Sequence, residues 1–279
     1  MSSSREPEVL AFTKMHGAGN DYIYVDATRD VQQLDRLVPH IESLSKRHFG
    51  VGSDGLIAIT RGDAAPVRMH MWNADSSRGA LCVNGLRCAA WFARDCGAVS
   101  EDRFEVETDV GTHACELSPA SAEKPSVRVR VGGLTVDDEF DTYTDPDGRP
   151  WRFVGGSAGN PHAVVFVDED PDQLEIEAVG RAIQQLPRFE DSANVEFIQV
   201  RGENTIVQRT YERGSGETLA CGSGAIAAAC ASLVHGFVSG PNVEVVLRGG
   251  TLIITDHGHG QFELEGPVAI AFRGEVQMP

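Results

Sequence analysis

The sequence predicts an α+β protein written as two copies of one unit. Three observations carry that expectation. Short β-branched or alternating runs recur along the 279 residues, two cysteines stand in matched settings before helix-forming runs, and short motifs repeat in one order at nearly constant spacing. A chain of 279 residues exceeds one ordinary core and suits two domains of roughly 100–150 residues each.

The strand candidates are, in order, "DYIYVD", "GLIAIT", "VRMHMW", "RFEVET", "SVRVRV", "HAVVFVD", "VEFIQV", "TIVQRTY", "VEVVLR", "TLIITD", "QFELEG" and "VAIAFRG". Gly, Asp or Pro often bound them, as strand ends require. Helices are expected over 32–47, after Cys82, over 173–186 and after Cys221. The stretch "TYTDPDGRP", 142–150, reads as a turn-rich loop. Many strands with one central helix per copy point away from a doubly wound parallel sheet.

The repeat is visible in the motifs. "AGNDYIYVD" begins at Ala18 and "AGNPHAVVFVD" at Ala158, so Asn20 and Asn160 are 140 residues apart. "SDGLIAITRG" and "ANVEFIQVRG" align Arg61-Gly62 with Arg201-Gly202, again at 140, and set Asp54 opposite Asn194. Cys82 and Gly85 precede Cys221 and Gly224 by 139. Nine residues before each cysteine stands a polar turn residue, Asn73 or Glu212. The expected halves are 8–128, with a closing strand at about 267–279, and 129–266, related by a pseudo-twofold axis.

Composition narrows the function. A net charge of −17 argues against a nucleic-acid surface, which needs clustered Lys and Arg. No apolar run suits a membrane span, and "MSSSREPEVL" lacks a signal-peptide core, so a cytoplasmic address is expected. The cysteines at 82, 88, 96, 115, 221 and 230 include no C-x-x-C, which argues against a zinc or disulfide framework. No metal cluster or pyridoxal-phosphate site is expected, so no cofactor is called for.

Two cysteines before helices suggest a mechanism. The first N–H groups of a helix lack intrahelical acceptors and sit at the positive end of its dipole. That potential favours a thiolate and offers donors to a carboxylate. Two such starts on opposite sides of one α-carbon would allow one thiolate to remove a proton while the other thiol delivers one. Cys88 and Cys230 lie within the helical runs and are expected to pack in cores.

At these residues the sequence resembles diaminopimelate epimerases, which interconvert LL- and meso-diaminopimelate without a cofactor. "ERGSGETLACGSGA" (212–225), "AGNPHAVVFV" (158–167), "NVEF" (194–197), "RHFGVGSDGL" (47–56) and "KMHGAGNDYIYVD" (14–26) carry the likeness. The resemblance implies two halves, each a curled, mainly antiparallel sheet around a central helix, with the active site in the cleft between them. It implies Cys82 and Cys221 as the catalytic pair, bordered by His162 and Glu212. Asn20, Asn73, Asn160, Asn194 and Arg213 would bind the distal amino-acid end of the substrate. Backbone N–H groups of Val83, Asn84, Gly222 and Ser223 would hold the reacting carboxylate. A homodimer is implied by the same likeness.

The chain departs from the family pattern near the first cysteine. Val83 and Ser76 replace glycines, Arg78 replaces a common acidic residue, and position 55 is Gly where some members carry Gln. Val83 and Arg78 leave open a cofactor-independent racemase of another amino acid, such as histidine. A thiol–disulfide oxidoreductase using Cys82 and Cys221, and a non-catalytic binding protein, are the readings from other classes.

Overall fold

A computed structural model describes residues 9–119 and 123–278. Most of the N-terminal segment read for a signal peptide, and the expected boundary at residue 8, lie outside them. The chain divides into two compact units. One runs to Val127 and resumes at Val268, and the other is Arg128–Pro267.

The first unit opens with β1 (Val9–Gly17) and β2 (Asn20–Asp26), an antiparallel pair. The helix expected over 32–47 forms as two short pieces, α1 (Gln33–Leu37) and α2 (Ile41–Ser45), split by a 3-10 turn at Val38–His40. Pro39 explains the break, because its ring removes a helical donor and crowds the preceding turn. Then follow β3 (Gly55–Arg61), β4 (Val67–Asn73), β5 (Arg78–Gly79), α3 (Val83–Asp95), β6 (Arg103–Thr108), β7 (Gly111–Leu117) and β8 (Ser126–Gly132), the last crossing into the second unit. β2 runs parallel to β3, β3 antiparallel to β4, β4 parallel to β6 and β6 antiparallel to β7.

The second unit contains β9 (Thr135–Val136), β10 (Asp141–Thr144), β11 (Pro150–Ser157), β12 (Pro161–Phe166), α4 (Ile176–Gln184), β13 (Asn194–Val200), β14 (Thr205–Glu212), β15 (Gly216–Thr218), α5 (Gly222–Val234), β16 (Asn242–Leu247), β17 (Gly250–Asp256) and β18 (Gln261–Pro267). The loop expected over 142–150 is shorter than the sequence suggested, because β10 and β11 pair across it from Asp141↔Phe153 to Thr144↔Pro150. β10 is mostly exposed, with Tyr143 alone packed on the core, so no periodicity marks it. Asp145 caps the turn, accepting N–H groups from Asp147 and Arg149. The chain ends in β19 (Ala269–Gln277), which returns to the first unit and pairs antiparallel with β1.

The two units repeat one another strand by strand. β11 to β14, β16 and β17 pair in the order and sense of β1 to β4, β6 and β7. From the third strand onward the registers superpose at a shift of 139 residues: Gly55↔Asn73 becomes Asn194 beside Glu212, Val67↔Val106 becomes Ile206↔Val245, and Arg103↔Glu116 becomes Asn242↔Thr255. The counterpart of Asn194 is therefore Gly55 rather than Asp54. The motif match at 140 follows the hairpin loops, where Arg201-Gly202 lie one residue further into the turn than Arg61-Gly62.

A helix sits at the centre of each unit. α3 packs on β1, β2, β3, β4 and β7, and α5 on β9, β11 to β14 and β16 to β18. Both are buried on nearly every side, as a helix wrapped by sheet must be. α5 fits that place with "GAIAAACA", whose small side chains let strands approach closely. Cys88 and Cys230 lie within these buried runs. Among the described residues no helix is long and apolar enough to cross a membrane.

Candidate active site

In the first unit Cys82 is the N-cap of α3, with extended backbone. Its Sγ accepts the Gly85 N–H at 3.3 Å and donates to Asn20 Oδ1 at 3.0 Å. Asn20 arrives from the β1–β2 turn, where Ala18 and Gly19 take left-handed backbone. Its Nδ2 donates to Asp54 Oδ2 at 2.7 Å, and Arg47 pairs with Asp54 at 2.9 Å. The Tyr22 hydroxyl lies against both the Cys82 sulfur and Asn20, and burial holds this phenol well above its usual range. Asn73, at the end of β4, donates to Ser77 Oγ at 2.9 Å. Val83 and Asn84 are the first residues of α3, so their N–H groups point out of its N-terminus.

In the second unit Cys221 caps α5 in the same way, accepting the Gly224 N–H at 3.3 Å. Ser223 Oγ lies 3.5 Å from the sulfur. Gly222 and Ser223 open the helix. His162 is fully buried, its Nδ1 2.9 Å from Glu196 Oε1 and its Nε2 3.1 Å from Asn160 Oδ1. Asn194 accepts the Arg213 N–H at 2.9 Å, and the Arg213 guanidinium reaches the Asp191 carbonyl at 3.0 Å. Glu212 takes the Thr218 hydroxyl and meets Cys221. Burial raises the Glu212 carboxyl, and the charge of Glu196 adds to that. The Cys221 thiol is pushed well above the usual range by burial, then by Glu212 and Glu196.

The first unit thus brings Asn20 to Cys82. The second brings Asn160 to His162, Asn194 to the Arg213 backbone, and Glu212 to Cys221. Asn73 contacts Ser77 instead of its unit's cysteine. Three residues absent from the sequence-based site stand beside it: Tyr22, Glu196 and Arg87. Glu196 lies in a strand buried on both faces, and Arg87 interrupts an apolar helix. A charge inside a run with no solvent face was the available signal.

The departures from the family pattern also find their places. Val83 is buried, so its β-branched side chain is accommodated. Ser76 occupies left-handed backbone at φ 67°, where glycine is at ease. Arg78 stacks 4.6 Å over Trp72 and bonds Asp109 at 3.0 Å and His70 at 3.1 Å. Burial, then the charges of Arg78 and Arg68, bring the His70 pKa down to about 4.

A family model described as diaminopimelate epimerase matches residues 12–136 and 156–270. The chain belongs to the diaminopimelate epimerase family. A relative so named from Leptospira biflexa is 38% identical, over 96% of this chain and 99% of its own length. One from the archaeon Methanococcus maripaludis is 34% identical, over 96% and 100%. Solved structures share the fold at lower identity. A hydroxyproline epimerase from Agrobacterium vitis matches with TM-score 0.72 at 13% identity, over 98% of this chain and 92% of that one. A phenazine-biosynthesis protein of the PhzF family from Bacillus anthracis matches with TM-score 0.68 at 17%, over 96% and 99%. The protein is an isomerase of the α+β, two-unit epimerase fold.

Proposed function

We propose that the protein epimerises LL-diaminopimelate to meso-diaminopimelate by a two-base mechanism, with Cys82 and Cys221 as the proton-exchanging groups. The observation that carries this reading is the repeated cap. Each cysteine starts a buried central helix, with the i+3 glycine N–H on its sulfur, in a chain whose relatives bear the epimerase name.

In the forward direction one sulfur, as thiolate, takes the α-proton from one face. The other, as thiol, delivers its proton to the opposite face. The carbanion between these steps needs stabilisation at its carboxylate. The N–H groups of Val83, Asn84, Gly222 and Ser223 point where helix dipoles favour negative charge. One oriented donor of this kind contributes about 3–4 kcal/mol in known enzymes. Glu212 and His162 flank the reacting centre in this reading. Asn20, Asn73, Asn160, Asn194 and Arg213 hold the distal zwitterion, the guanidinium forking onto its carboxylate. A cytoplasmic address, from composition, and a homodimer, from family resemblance, complete the proposal. Sedimentation of the purified protein tests the dimer.

The decisive experiment is incubation of LL-diaminopimelate with enzyme in D₂O. Meso product carrying deuterium at the inverted carbon is expected, from fully reduced protein and with no added cofactor. Absence of both exchange and inversion with LL-diaminopimelate, alongside turnover of another amino acid, overturns the substrate. Activity that needs the cysteines to cycle through a disulfide overturns the mechanism.

A further inference from the structure

The Arg87 guanidinium, in the first unit, is fully buried. It sits in α3, five residues after Cys82. Its Nη1 donates to Asn84 Oδ1 at 2.7 Å, while Nε and Nη2 have no hydrogen-bond partner among the described residues. Nη2 lies under Gly17, where a Cβ would come within 2.9 Å of it and 3.1 Å of the Asn84 carbonyl, so a larger residue there would crowd the guanidinium. A guanidinium keeps its proton even when buried, and a lone buried cation is unfavourable until an anion forms within its reach.

The 139-residue register gives Arg87 a counterpart in α5, and that counterpart is Ile226. Two further positions differ in the same sense. The carboxylate of Glu196 lies 2.5 Å from where a Cβ on Gly224 would sit, and Ile57 holds the matching place, 2.6 Å from where a Cβ on Gly85 would sit. Glu212 stands where the first unit has Asn73. Cys82 therefore lies in the field of the Arg87 cation, with neutral residues at the two matching positions. Cys221 has an apolar residue behind it and two carboxylates beside it.

We propose that Arg87 makes Cys82 the first of the two thiols to ionise, by supplying the buried cation that Ile226 withholds from Cys221. The proposal rests on the two-thiol reading above and assigns the order of ionisation within it. Three acidic groups share the field of Arg87: Cys82, Cys88 and Tyr24. Burial pushes the Cys88 thiol to about 12 and the Tyr24 phenol well above its usual range. Cys82 is only half-buried, keeps the Gly85 N–H and touches the Tyr22 hydroxyl, so the negative charge settles on its sulfur. Two groups oppose it. Asn20 Oδ1 accepts the S–H and favours the thiol, and Asp54 stands behind Asn20 with its charge held by Arg47. Ionisation releases the Cys82 proton to solvent and leaves a thiolate–guanidinium pair.

Alkylation by iodoacetamide, followed peptide by peptide with mass spectrometry from pH 5 to 10, tests this without substrate. In the unmodified protein Cys82 should react along a curve lying at lower pH than that of Cys221. In Arg87→Met the Cys82 rate at pH 7 should fall about tenfold or more, which is one pH unit of displacement, and converge on the wild-type rate at high pH. Arg87→Lys should restore most of the rate. A folded Arg87→Met protein with an unmoved Cys82 curve overturns the proposal. If that variant fails to fold, the unmodified protein decides: a Cys221 curve at or below the pH of the Cys82 curve overturns it equally. Because no turnover is measured, a failed epimerase assay leaves this test intact, and a failed alkylation test leaves the epimerase reading intact.

Discussion

The starts of α3 and α5 are copies in backbone and opposites in charge. Each is capped by a cysteine, and each sulfur takes the N–H of the glycine three residues on at 3.3 Å. At three matching positions the first has Arg87, Asn73 and Ile57, and the second Ile226, Glu212 and Glu196. Duplication kept the geometry, because strand registers and helix burial are constrained at every residue. It released the charges, and the two-base inversion proposed above does not ask the same of both thiols. In that proposal one gives up its proton readily and the other holds it. Burial and two carboxylates hold the proton on Cys221.

The comparison is tested most severely by removing its centre. Cys82→Ala and Cys221→Ala should each lower epimerisation by at least about 10³-fold, in the upper range for a lost acid or base. Measured as meso product from LL-diaminopimelate, a variant that keeps a tenth of wild-type activity would break the claim that both halves act on one carbon.

Next comes the flank. Glu212→Gln removes one negative charge from beside Cys221 while keeping the side chain's shape. Its kcat should drop about 10²-fold. Its Cys221 alkylation curve should move to lower pH, toward that of Cys82. An unchanged curve would mean that burial alone sets the difference.

A smaller effect concerns stability. The folded pKa of Cys221 is raised above that of an unfolded thiol, near 8.5. Stability from this burial is fully present below pH ~8.5 and is lost as pH rises toward the folded value. Cys221→Ala should therefore lose less stability than wild type between pH 8 and 10, by about 1–2 kcal/mol in urea unfolding. Cys82→Ala should narrow that loss less. Equal behaviour of the two variants would erase the asymmetry.

The smallest test is conformational. Ser76 adopts φ 67° in the turn after β4, whereas the corresponding turn of the second unit holds glycines at φ 79° (Gly214) and 73° (Gly216). Ser76→Gly should stabilise the protein by ~0.5–1 kcal/mol in chemical denaturation, by relieving left-handed strain.

Much of this architecture is legible in the residues. Alternation marks β2, β3 and β4, because each carries side chains to a core, and the cysteine-glycine caps mark both central helices. β10 is not legible, since a mostly exposed strand with one residue on the core sets no period. The break between α1 and α2 is carried by Pro39, whose effect is local. Matching letters that persist into the hairpin loops set Asp54 opposite Asn194. Hydrogen-bond register, fixed by the strands, puts Gly55 there. Arg87 and Glu196 stand as single charges in apolar runs, and only the helix-and-strand packing reveals that each lies near a thiol.

The return of β19 to β1 has a consequence for synthesis. On the ribosome the whole second unit is synthesised before the strand that finishes the first. Until then the long outer edge of β1, with Leu10 and Phe12 beside it, waits without its partner. The earlier half of the message thus encodes the half of the protein that completes its sheet last, and the nascent chain must keep that edge from pairing with a neighbour in the meantime.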